Sequence, residues 1–520
     1  MNGSVDLRIG IDVGGTNTDA VILDRNDLVL AKFKTRTTPD LSTGISKALE
    51  SVLSQIPESK HRVTHVILGT THATNAILQR RDLLKVATIR IGAPASVSIP
   101  PLLDWPKDLR KTISSGEIIV SGGSELTGEA LAPFGKDGLT KFIDSVANVA
   151  QSVAITGIYS PVNAEHEFEA AEIVQKMLGE IPISLSSGIG GLGLLERENA
   201  CVLNAALIGV SRKVVDGFSE ALTKNGINSL KYLTQNNGTL MSLDSVLKYP
   251  VLTIGSGPSN SMRGAGHLTK VSNAIVADVG GTSTDIGVLI NAFPRESTTP
   301  VDIGGVRTNF RMPDLVSIAV GGGSILRKTG SDITVGPDSV GYQLPDEAIV
   351  MGGKTPTLSD AAVVKKRMTM GNAKLAIPIK DFLSRALEIS DNRVWEATDQ
   401  IKTSRVDVPL IVVGGGSVIL PDSIEGISEI LRPDNYEVAN AIGAAMASVS
   451  GQIDKVFKLG GRKREELIEE AKSAARDQAI SEGADPAAVE IIEVDEVPMA
   501  YLTEPVVRIR VKASGPLGFV

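Results

Sequence analysis

The chain has 520 residues, of which 42% are hydrophobic and 22% are charged. At ~150 residues per domain this length predicts several cores or two large lobes, and the composition excludes a wholly disordered or fibrous protein. The formal net charge of −8 opposes broad contact with a nucleic-acid backbone or an anionic membrane surface. We therefore expect no nucleic-acid or membrane partner.

The N-terminus and the cysteine content both bear on the cellular compartment. MNGSVDLRIGIDVGG has no basic region followed by a long apolar stretch, and no apolar run approaches the ~18 residues needed to span a bilayer. The single cysteine, Cys201, excludes an intramolecular disulfide and a multi-cysteine metal site, as expected in a reducing environment. The sequence therefore predicts a cytoplasmic protein.

The first predicted lobe, residues 1–199, opens with strands and continues with alternating helices and strands. Residues 7–23 place a Gly-Gly turn between two apolar runs, which predicts a hairpin, and residues 28–37 add a third strand. Helical spacing after Pro39 and the strand-like VTHVILGTTH follow. The Pro- and Gly-rich segment 93–138 reads as an insertion, and a β-α-β crossover comes after it.

The rest of the chain predicts a second lobe and a small C-terminal unit. We expect the second lobe over residues 200–459, joined to the first through a helical connector at LLERENACVLNAAL. Residues 460–520 contain a charged helix and two strand-like runs, AVEIIEVDEV and PVVRIRVKA, which predicts a small α+β appendage.

The strongest signal is a repeated motif. DVGGTNTD at residues 12–19 and DVGGTSTD at residues 278–285 agree at seven of eight positions, and each lies between two apolar runs. Glycine lets a backbone approach a ligand closely, and the hydroxyls and amides that follow can donate to phosphate oxygens. The alternative is a pair of structural glycine turns. The predicted nucleotide-binding residues are Gly14, Gly15, Thr16, Asn17, Thr18, Gly280, Gly281, Thr282, Ser283 and Thr284.

Carboxylates accompany both copies of the motif. Asp12 and Asp278 each stand two positions before the first glycine of their motif copy, where a carboxylate suits a hydrated Mg²⁺ or can orient water, because Mg²⁺ prefers oxygen ligands. Asp285 ends the second copy. We expect these three residues to be catalytic, with Asp12 and Asp278 as metal ligands.

The duplicated motif resembles the phosphate-binding segments of the actin, sugar kinase and Hsp70 superfamily. The resemblance implies a two-lobed actin-like, ribonuclease H-like ATPase fold with duplicated βββαβα lobes. The adenosine segment of that superfamily resembles IVVGGGSVILP at residues 411–421, and its second connecting helix resembles EVANAIGAAMASV. The resemblance adds four nucleotide-binding residues, Gly414, Gly415, Gly416 and Ser417.

Within that superfamily the chain resembles the hydantoinase A/5-oxoprolinase family. The resemblance lies in GTTHATNAILQRRDLLKVATI at residues 69–89, in the connector helix, and in residues 234–268 and 320–341. It implies ATP and Mg²⁺ as cofactors, phosphorylation and opening of a cyclic amide, and a B-type partner subunit, while a homo-oligomer is left open. It also implies Asp314 as a metal ligand and four substrate residues, Thr70, Thr71, His72 and Asn75.

One departure from the family pattern affects the functional prediction. Where the family has I-D-I-H, this chain has PDLV, which keeps Asp314 but places Val316 at the histidine position. Valine neither binds metal nor transfers protons, so the substrate differs or turnover has been lost while nucleotide binding persists. The alternatives to a cyclic-amide hydrolase subunit are a nucleotide-switched binding or reactivating protein and a small-molecule kinase.

Overall fold

Strand pairing organises the described residues into one nine-stranded sheet, one six-stranded sheet, one four-stranded sheet and two short hairpins. The computed structural model describes residues 6–38, 40–57, 59–499 and 505–518. The first five residues, on which part of the N-terminal prediction rests, lie outside the described residues. Within the described ranges no helix combines the length and the apolar character needed to cross a membrane.

The nine-stranded sheet begins with a meander and a parallel return strand. Its first elements are β1 (Leu7–Val13), β2 (Asn17–Leu23), β3 (Val29–Arg36), α1 (Leu41–Ser54) and β4 (Val63–Thr70). β1 pairs antiparallel with β2 and parallel with β4, and β2 pairs antiparallel with β3, which confirms the predicted opening. β1 reads as an apolar run because both faces are buried: Ile9 and Ile11 join the core beside α1, and a Cβ at Gly10 would lie 2.1 Å from the carbonyl oxygen of Ala441.

A separate parallel sheet follows. Its elements are α2 (His72–Gln79), β5 (Val86–Ala93), α3 (Lys107–Ile113), β6 (Ser114–Ser121), α4 (Lys136–Val146), β7 (Ser152–Gly157), α5 (Glu165–Leu178) and β8 (Ile183–Leu185). The strand order is β6-β5-β7-β8, with all pairs parallel. The predicted insertion at 93–138 thus contains an edge strand, β6, whose half-buried and partly polar residues carry little apolar periodicity.

The chain then returns to the nine-stranded sheet. The next elements are α6 (Leu194–Lys224), β9 (Leu230–Thr234), β10 (Leu240–Ser242), α7 (Leu243–Lys248) and α8 (Ser256–Thr269). β9 pairs parallel with β4 and antiparallel with β10, so these strands belong to the first sheet although the sequence places residues 200–459 in the second lobe. Consequently α6 leads from β8 of the four-stranded sheet to β9 of the nine-stranded sheet, and the helix that leads to the six-stranded sheet is α8.

The six-stranded sheet repeats the pairing pattern of the first. Its region contains β11 (Ala274–Val279), β12 (Thr284–Ile290), β13 (Phe293–Pro294), β14 (Val301–Ile303), β15 (Val306–Thr308), β16 (Leu315–Ile318), β17 (Ser324–Thr329), β18 (Asp332–Ser339), α9 (Leu344–Glu347), α10 (Leu358–Val364), α11 (Lys380–Ile401), β19 (Val408–Val413), β20 (Ile427–Leu431) and α12 (Ala439–Ala445). β11 pairs antiparallel with β12 and parallel with β19, as β1 does with β2 and β4. β16 pairs antiparallel with β12 as β3 does with β2, and β20 pairs parallel with β19 as β9 does with β4.

The C-terminal elements extend the first sheet. They are β21 (Val449–Lys458), α13 (Arg464–Ser481), β22 (Glu490–Met499) and β23 (Val506–Gly515). β21 pairs with β10 and β23, and β22 forms the sheet edge beside β23. The predicted helix and two strands are present. The two strands continue the sheet of the first lobe, because they join it through β21, which pairs parallel with β10, a strand far from β21 along the chain.

Two helices cross between the two large sheets. α8 leads from β10 to β11, and α12 leads from β20 back to β21. They pack at glycine contacts: a Cβ at Gly264 would lie 1.9 Å from the carbonyl oxygen of Ala439, and one at Gly443 would lie 1.8 Å from that of Asn260. The small residues predicted for the second connector therefore let its backbone touch that of α8.

Candidate functional site

Two matching glycine turns form the centre of the candidate site. The amide of Gly14 donates to the carbonyl of Asn17 at 2.9 Å, and the amide of Gly280 donates to the carbonyl of Ser283 at 2.9 Å. Each turn joins the first two strands of its sheet. The repeated motif therefore produces the same local structure twice, once in each lobe.

Each turn carries a pair of opposed carboxylates. In strand register Asp12 lies opposite Asp19, and Asp278 lies opposite Asp285. Burial, together with the charges of Asp19 and Asp278, raises the pKa of Asp12 to about 7. Because Asp278 belongs to the other lobe, its effect on Asp12 means that the two hairpins bring their acids together.

The other three carboxyl groups are also difficult to ionise. Burial raises the pKa of Asp19, of Asp278 and of Asp285. Opposing this, the Nζ of Lys34 lies 2.9 Å from both oxygens of Asp19, and Ser317 donates to Asp285. Asp12 and Asp19 are buried and Asp278 and Asp285 are half-buried, and carboxylates clustered in this way are the arrangement that a bound cation stabilises.

Consecutive residues of α8 hold one acid from each lobe. The Nδ2 of Asn260 donates to the Oδ1 of Asp12 at 3.2 Å, and the Oγ of Ser261 donates to the Oδ2 of Asp278 at 2.5 Å. Asn440 on α12 donates to Asp12 and to Asp19. Both crossing helices thus contact the acidic centre.

Sequence reasoning did not single out these supporting residues. Asn260 and Ser261 lie in the family-like GPSNSMRG segment directly before the second motif copy, which is the one signal that indicates them. Asn440 lies in the predicted connecting helix, but neither it nor Lys34 stands in a pattern that points to the acids.

The glycine turns leave open space in which a ligand can contact the protein backbone. A Cβ at Gly281 or Gly415 would have no atom within 4 Å, and Gly15 is exposed. Thr16, Asn17, Thr282 and Ser283 are also at least partly exposed. These open turns fit the approach of a phosphate chain, and the buried acids beside them fit a divalent cation.

Two of the residues predicted to bind nucleotide have their hydroxyl groups inside the protein, where they contact other protein groups. Thr18 is fully buried, and its Oγ1 lies 3.2 Å from that of Thr37. Thr284 is fully buried and donates to the carbonyl of Val320 at 2.6 Å. Both hydroxyls therefore stabilise the hairpins, and the prediction that they bind nucleotide is wrong in this respect.

The third glycine turn lies against the second hairpin. A Cβ at Gly414, where φ is +85°, would lie 2.3 Å from the Oδ1 of Asp278, and Gly416 is packed against the carbonyl of Gly280. Ser417 is fully buried, and its Oγ has no hydrogen-bond partner among the described residues. The proposed adenosine segment is thus adjacent to Asp278, and its nucleotide role stays a prediction.

The predicted substrate residues lie next to the first turn. The amide of Thr71 donates to the carbonyl of Val13 at 3.2 Å, and the Nδ2 of Asn75 donates to the Oγ1 of Thr71 at 3.2 Å. The Oγ1 of Thr70 lies 2.6 Å from the Nδ1 of His72, and burial lowers the pKa of His72. The four residues form one connected group, and their contact with a substrate stays a prediction.

Asp314 does not join the acidic centre. It lies just before β16 and forms an ion pair with Arg295 at 2.7 Å, whereas the turn-proximal end of β16 is Ile318, opposite Thr284. At ~3.3 Å per residue, four residues separate Asp314 from that end by roughly 13 Å. Across the described ranges no group of three or more His, Cys, Asp or Glu is arranged as a metal cage. The prediction that Asp314 binds metal is therefore wrong.

The residue at the family histidine position packs into the protein interior. Val316 contacts the apolar core of the second lobe, and its neighbour Ser317 is the residue that reaches Asp285. Alternate residues of a strand face opposite sides of the sheet. Position 316 therefore faces the core side, while position 317 faces the acids.

Two sheets of matching topology, a glycine hairpin in each and two crossing helices define a two-lobed actin-like ATPase fold. The hydantoinase/oxoprolinase N-terminal region matches residues 8–178, and the hydantoinase/oxoprolinase model matches residues 197–372. The chain belongs to the hydantoinase/oxoprolinase family.

Relatives within this family differ in what their names say they act on. The acetophenone carboxylase gamma subunit of Aromatoleum aromaticum is 28% identical over 430 residues, which cover 73% of this chain and 57% of that protein. The caprolactamase subunit alpha of Pseudomonas jessenii is 26% identical over 469 residues, covering 84% and 65%. The chain thus spans less than two thirds of the length of these two relatives.

A solved structure supports the fold. The crystal structure of ATP-dependent caprolactamase from Pseudomonas jessenii superposes with a TM-score of 0.76, covering 98% of this chain and 88% of that chain at 18% identity. This likeness extends through the C-terminal strands, so the extended first sheet is part of the shared architecture.

Proposed function

We propose that this chain is an ATP-dependent subunit that phosphorylates the carbonyl oxygen of a cyclic amide, a hydantoin, 5-oxoproline or a related lactam, and thereby opens its ring. The observation that carries the proposal is the pair of glycine hairpins whose acids, Asp12 and Asp278, are held by consecutive residues of one crossing helix. Family membership supplies the reaction class.

The residues present fit both ATP and Mg²⁺. Open backbone at Gly15, Gly281 and Gly415 suits phosphates and nucleoside, while Asp12 and Asp278 suit a hydrated cation. When bound, ATP supplies the phosphoryl group and Mg²⁺ neutralises the charge that develops during transfer.

The chain's own residues contribute position and charge. With its pKa near 7, Asp12 changes protonation near neutral pH, and Asn260 and Asn440 stabilise its ionised form through hydrogen bonds. Ser261 holds Asp278 in the same way. Because Asp12 and Asp278 belong to different lobes but are both held by α8, we expect a movement of the lobes against each other to break at least one of these hydrogen bonds before the separation of the two acids changes.

Phosphorylation makes chemical sense for this substrate class. An unstrained lactam is a poor electrophile, and its hydrolysis stalls at expulsion of nitrogen. When the amide oxygen attacks the γ-phosphorus, an O–P bond forms, the bond to the ADP oxygen breaks, and the ring carbon becomes open to water. Addition of one water gives a tetrahedral carbon that expels the ring nitrogen, which takes up a proton and leaves as the amine, and an acyl phosphate remains. A second water then hydrolyses the acyl phosphate to the carboxylate and inorganic phosphate.

A partner subunit completes the proposal. Two of the relatives carry the word subunit in their names, and this chain spans only part of their length. We expect a B-type partner to carry out the hydrolysis of the phosphorylated amide. The cytoplasmic location and a homo-oligomer stay predictions.

A second candidate is a nucleotide-switched binding or reactivating ATPase. The observation that favours it is Val316. This residue stands at the family histidine position and packs against the apolar core of the second lobe, so no imidazole is present there. In that case closure about α8 and α12 would be the output, and ATP turnover would respond to a protein partner.

ATP hydrolysis against a panel of lactams and hydantoins, with and without a co-encoded partner, separates the candidates. The proposal expects at least a tenfold stimulation by one cyclic amide. Asp278→Asn should abolish it, whereas Asp346→Asn, an exposed acid in α9, should leave it unchanged. Absence of stimulation by every cyclic amide, even with the partner present, would contradict the proposed function.

A further inference from the structure

A second feature of the first lobe is a cavity where its sheet opens. β10 and β21 share a single pair, Leu240 with Val449, although β21 continues for nine further residues paired only with β23 on its other side. Beyond that pair β10 and β21 separate and leave a cavity of about 390 Å³. This volume lies within the range of small-ligand sites and would hold on the order of ten waters.

Carboxamide side chains dominate the polar part of the cavity wall. They come from four separate parts of the chain: the turn after β9, the segment after β15, β21 and α13. These carboxamides are Gln235, Asn236, Asn237, Asn309, Gln452 and Gln478. The remaining wall includes aromatic and aliphatic surface from Tyr249, Leu252 and Phe310. A mixed wall of this kind suits a compact ligand with one apolar face and one amide-like edge.

Several of these groups lack protein partners. The carboxamide of Gln452 makes no side-chain hydrogen bond to the described residues, although the backbone amide of Gln452 donates to the Oε1 of Gln478 at 2.8 Å. The Oδ1 of Asn237 is used by Thr239, which leaves its Nδ2 for a ligand. The cavity wall therefore presents both hydrogen-bond donors and hydrogen-bond acceptors to a ligand.

The charged residues of the wall balance. Arg311 and Lys455 are matched in number by Asp454 and Glu482. Arg311 lies 3.0 Å from Glu296, and Asp454 lies 2.6 Å from Arg508, so these charges are already neutralised by ion pairs. A balanced wall gives no net attraction for an anion or a cation, which favours an uncharged polar ligand.

One side of the cavity is connected to the acidic centre. Ser259 on α8 donates to the carbonyl of Asn236 in the cavity wall. The next residue, Asn260, donates both to Thr234 at 3.0 Å and to Asp12 at 3.2 Å. The loop that forms the wall is therefore tied to the helix that positions Asp12.

We infer that this cavity binds a small uncharged molecule with an amide group, of the size of a five- to seven-membered lactam. The naming of a lactam rests on the proposed function, whereas the charge and the hydrogen-bond character follow from the cavity itself. The carboxamide of Gln452 and the Nδ2 of Asn237 pair with the amide, and Tyr249, Leu252 and Phe310 contact the ring.

Ligand-observed NMR titration of the nucleotide-free full chain tests the inference. The probes are 2-piperidinone, the open-chain N-methylpropanamide, and 5-oxoproline, which carries a carboxylate. We expect saturable binding of 2-piperidinone at least fivefold tighter than that of 5-oxoproline. Gln452→Leu should weaken it at least fivefold, and so should Asn237→Asp, which removes the Nδ2 donor and keeps the oxygen that Thr239 uses. Gln400→Leu, a glutamine-to-leucine change on an exposed residue of α11, should not weaken it. Thermal melting verifies that each variant is folded.

The outcomes separate this inference from the proposed function. Equal binding of 2-piperidinone to wild type and to both wall variants would overturn the cavity assignment, as would tighter binding of 5-oxoproline or no binding of 2-piperidinone. Amide-stimulated ATP hydrolysis that persists in Gln452→Leu would also overturn it but leave the proposed function standing. Conversely, wall-dependent 2-piperidinone binding without stimulated hydrolysis supports the cavity while contradicting the proposed function.

Discussion

Asn440, on the helix that returns from the second lobe, donates a hydrogen bond of 3.0 Å to Asp12 in the first strand of the first lobe. The opposite oxygen of Asp12 accepts from Asn260, on the other crossing helix. One buried acid is therefore held by both helices that join the lobes. A movement of either helix changes the hydrogen bonding of Asp12. We therefore expect Asp12 to couple nucleotide binding to the movement of the lobes.

Removing this contact should shift the protonation of Asp12. The hydrogen bond from Asn440 lowers the pKa of Asp12, so in Asn440→Ala we expect that pKa to rise above its wild-type value of about 7. If Mg²⁺·ATP binding needs the ionised acid, the pH midpoint of binding rises with it. Titration of ATP affinity between pH 5.5 and 8.5 measures this shift. Asn392→Ala, an exposed change in α11, should leave the midpoint in place.

The burial of Asp12 should also appear in stability. Its folded pKa, about 7, exceeds its unfolded value of 3.8, so the folded state binds more protons between these values and stability falls as pH rises through that window. At 1.36 kcal/mol per pH unit, the nucleotide-free wild type should lose about 2 to 3 kcal/mol relative to Asp12→Asn from pH 5 to pH 7, and only about 0.4 kcal/mol more above pH 7, where Asp12 finishes ionising. Urea unfolding at several pH values measures the difference.

The control for this experiment is Glu425→Gln, which removes one exposed carboxyl and the same formal charge. It should show a flat difference from wild type over the same pH range. A flat difference for Asp12→Asn as well would mean that the acid is not desolvated in the folded protein.

Sequence analysis located the hairpins and the lobe repeat because both are local patterns. The glycine turn and its acids lie within eight residues of one another, so a periodic apolar run and a turn motif are enough to predict them. Asn260 and Asn440 are 248 and 428 residues from Asp12 along the chain, and nothing in the sequence near either residue encodes that contact.

The same limit explains the errors in connectivity. α8 contains three glycines and serine or asparagine at several positions, which disfavour a helix, whereas the long helix α6 is rich in alanine, leucine and valine and therefore predicts the connector more strongly. Likewise β9 and β21 join the first sheet through pairings that depend on tertiary structure. A strand signal predicts that a strand exists, but it does not predict the sheet to which the strand belongs.

The glycine contact between the crossing helices gives a third prediction. A Cβ at Gly443 would lie 1.8 Å from the carbonyl oxygen of Asn260, so Gly443→Ala must separate α12 from α8. We expect a loss of roughly 1–3 kcal/mol in unfolding free energy and weaker ATP binding, since Asn260 moves with the helix. Gly217→Ala is the matched control, because its Cβ has ordinary contacts of at least 3.7 Å. It should raise stability by roughly 0.5–1 kcal/mol. Chemical denaturation and ATP titration of both variants measure these effects.

Two threonines of the second motif copy should separate stability from nucleotide binding. Thr284 is buried and donates to the carbonyl of Val320, so Thr284→Val leaves that carbonyl without its partner and should cost roughly 1–3 kcal/mol with little change in ATP affinity. Thr282 is exposed at the tip of the turn, so Thr282→Val should leave stability within about 0.5 kcal/mol and weaken ATP binding several-fold.

Urea unfolding and ATP titration of the same two preparations provide both readouts. The opposite pattern, with stability lost in Thr282→Val and ATP affinity lost in Thr284→Val, would mean that the inward hydroxyl is the one that reaches the phosphates. The hairpin would then have to open at Val320 when nucleotide binds, because the Thr284 hydroxyl can contact a ligand only after it has left that carbonyl.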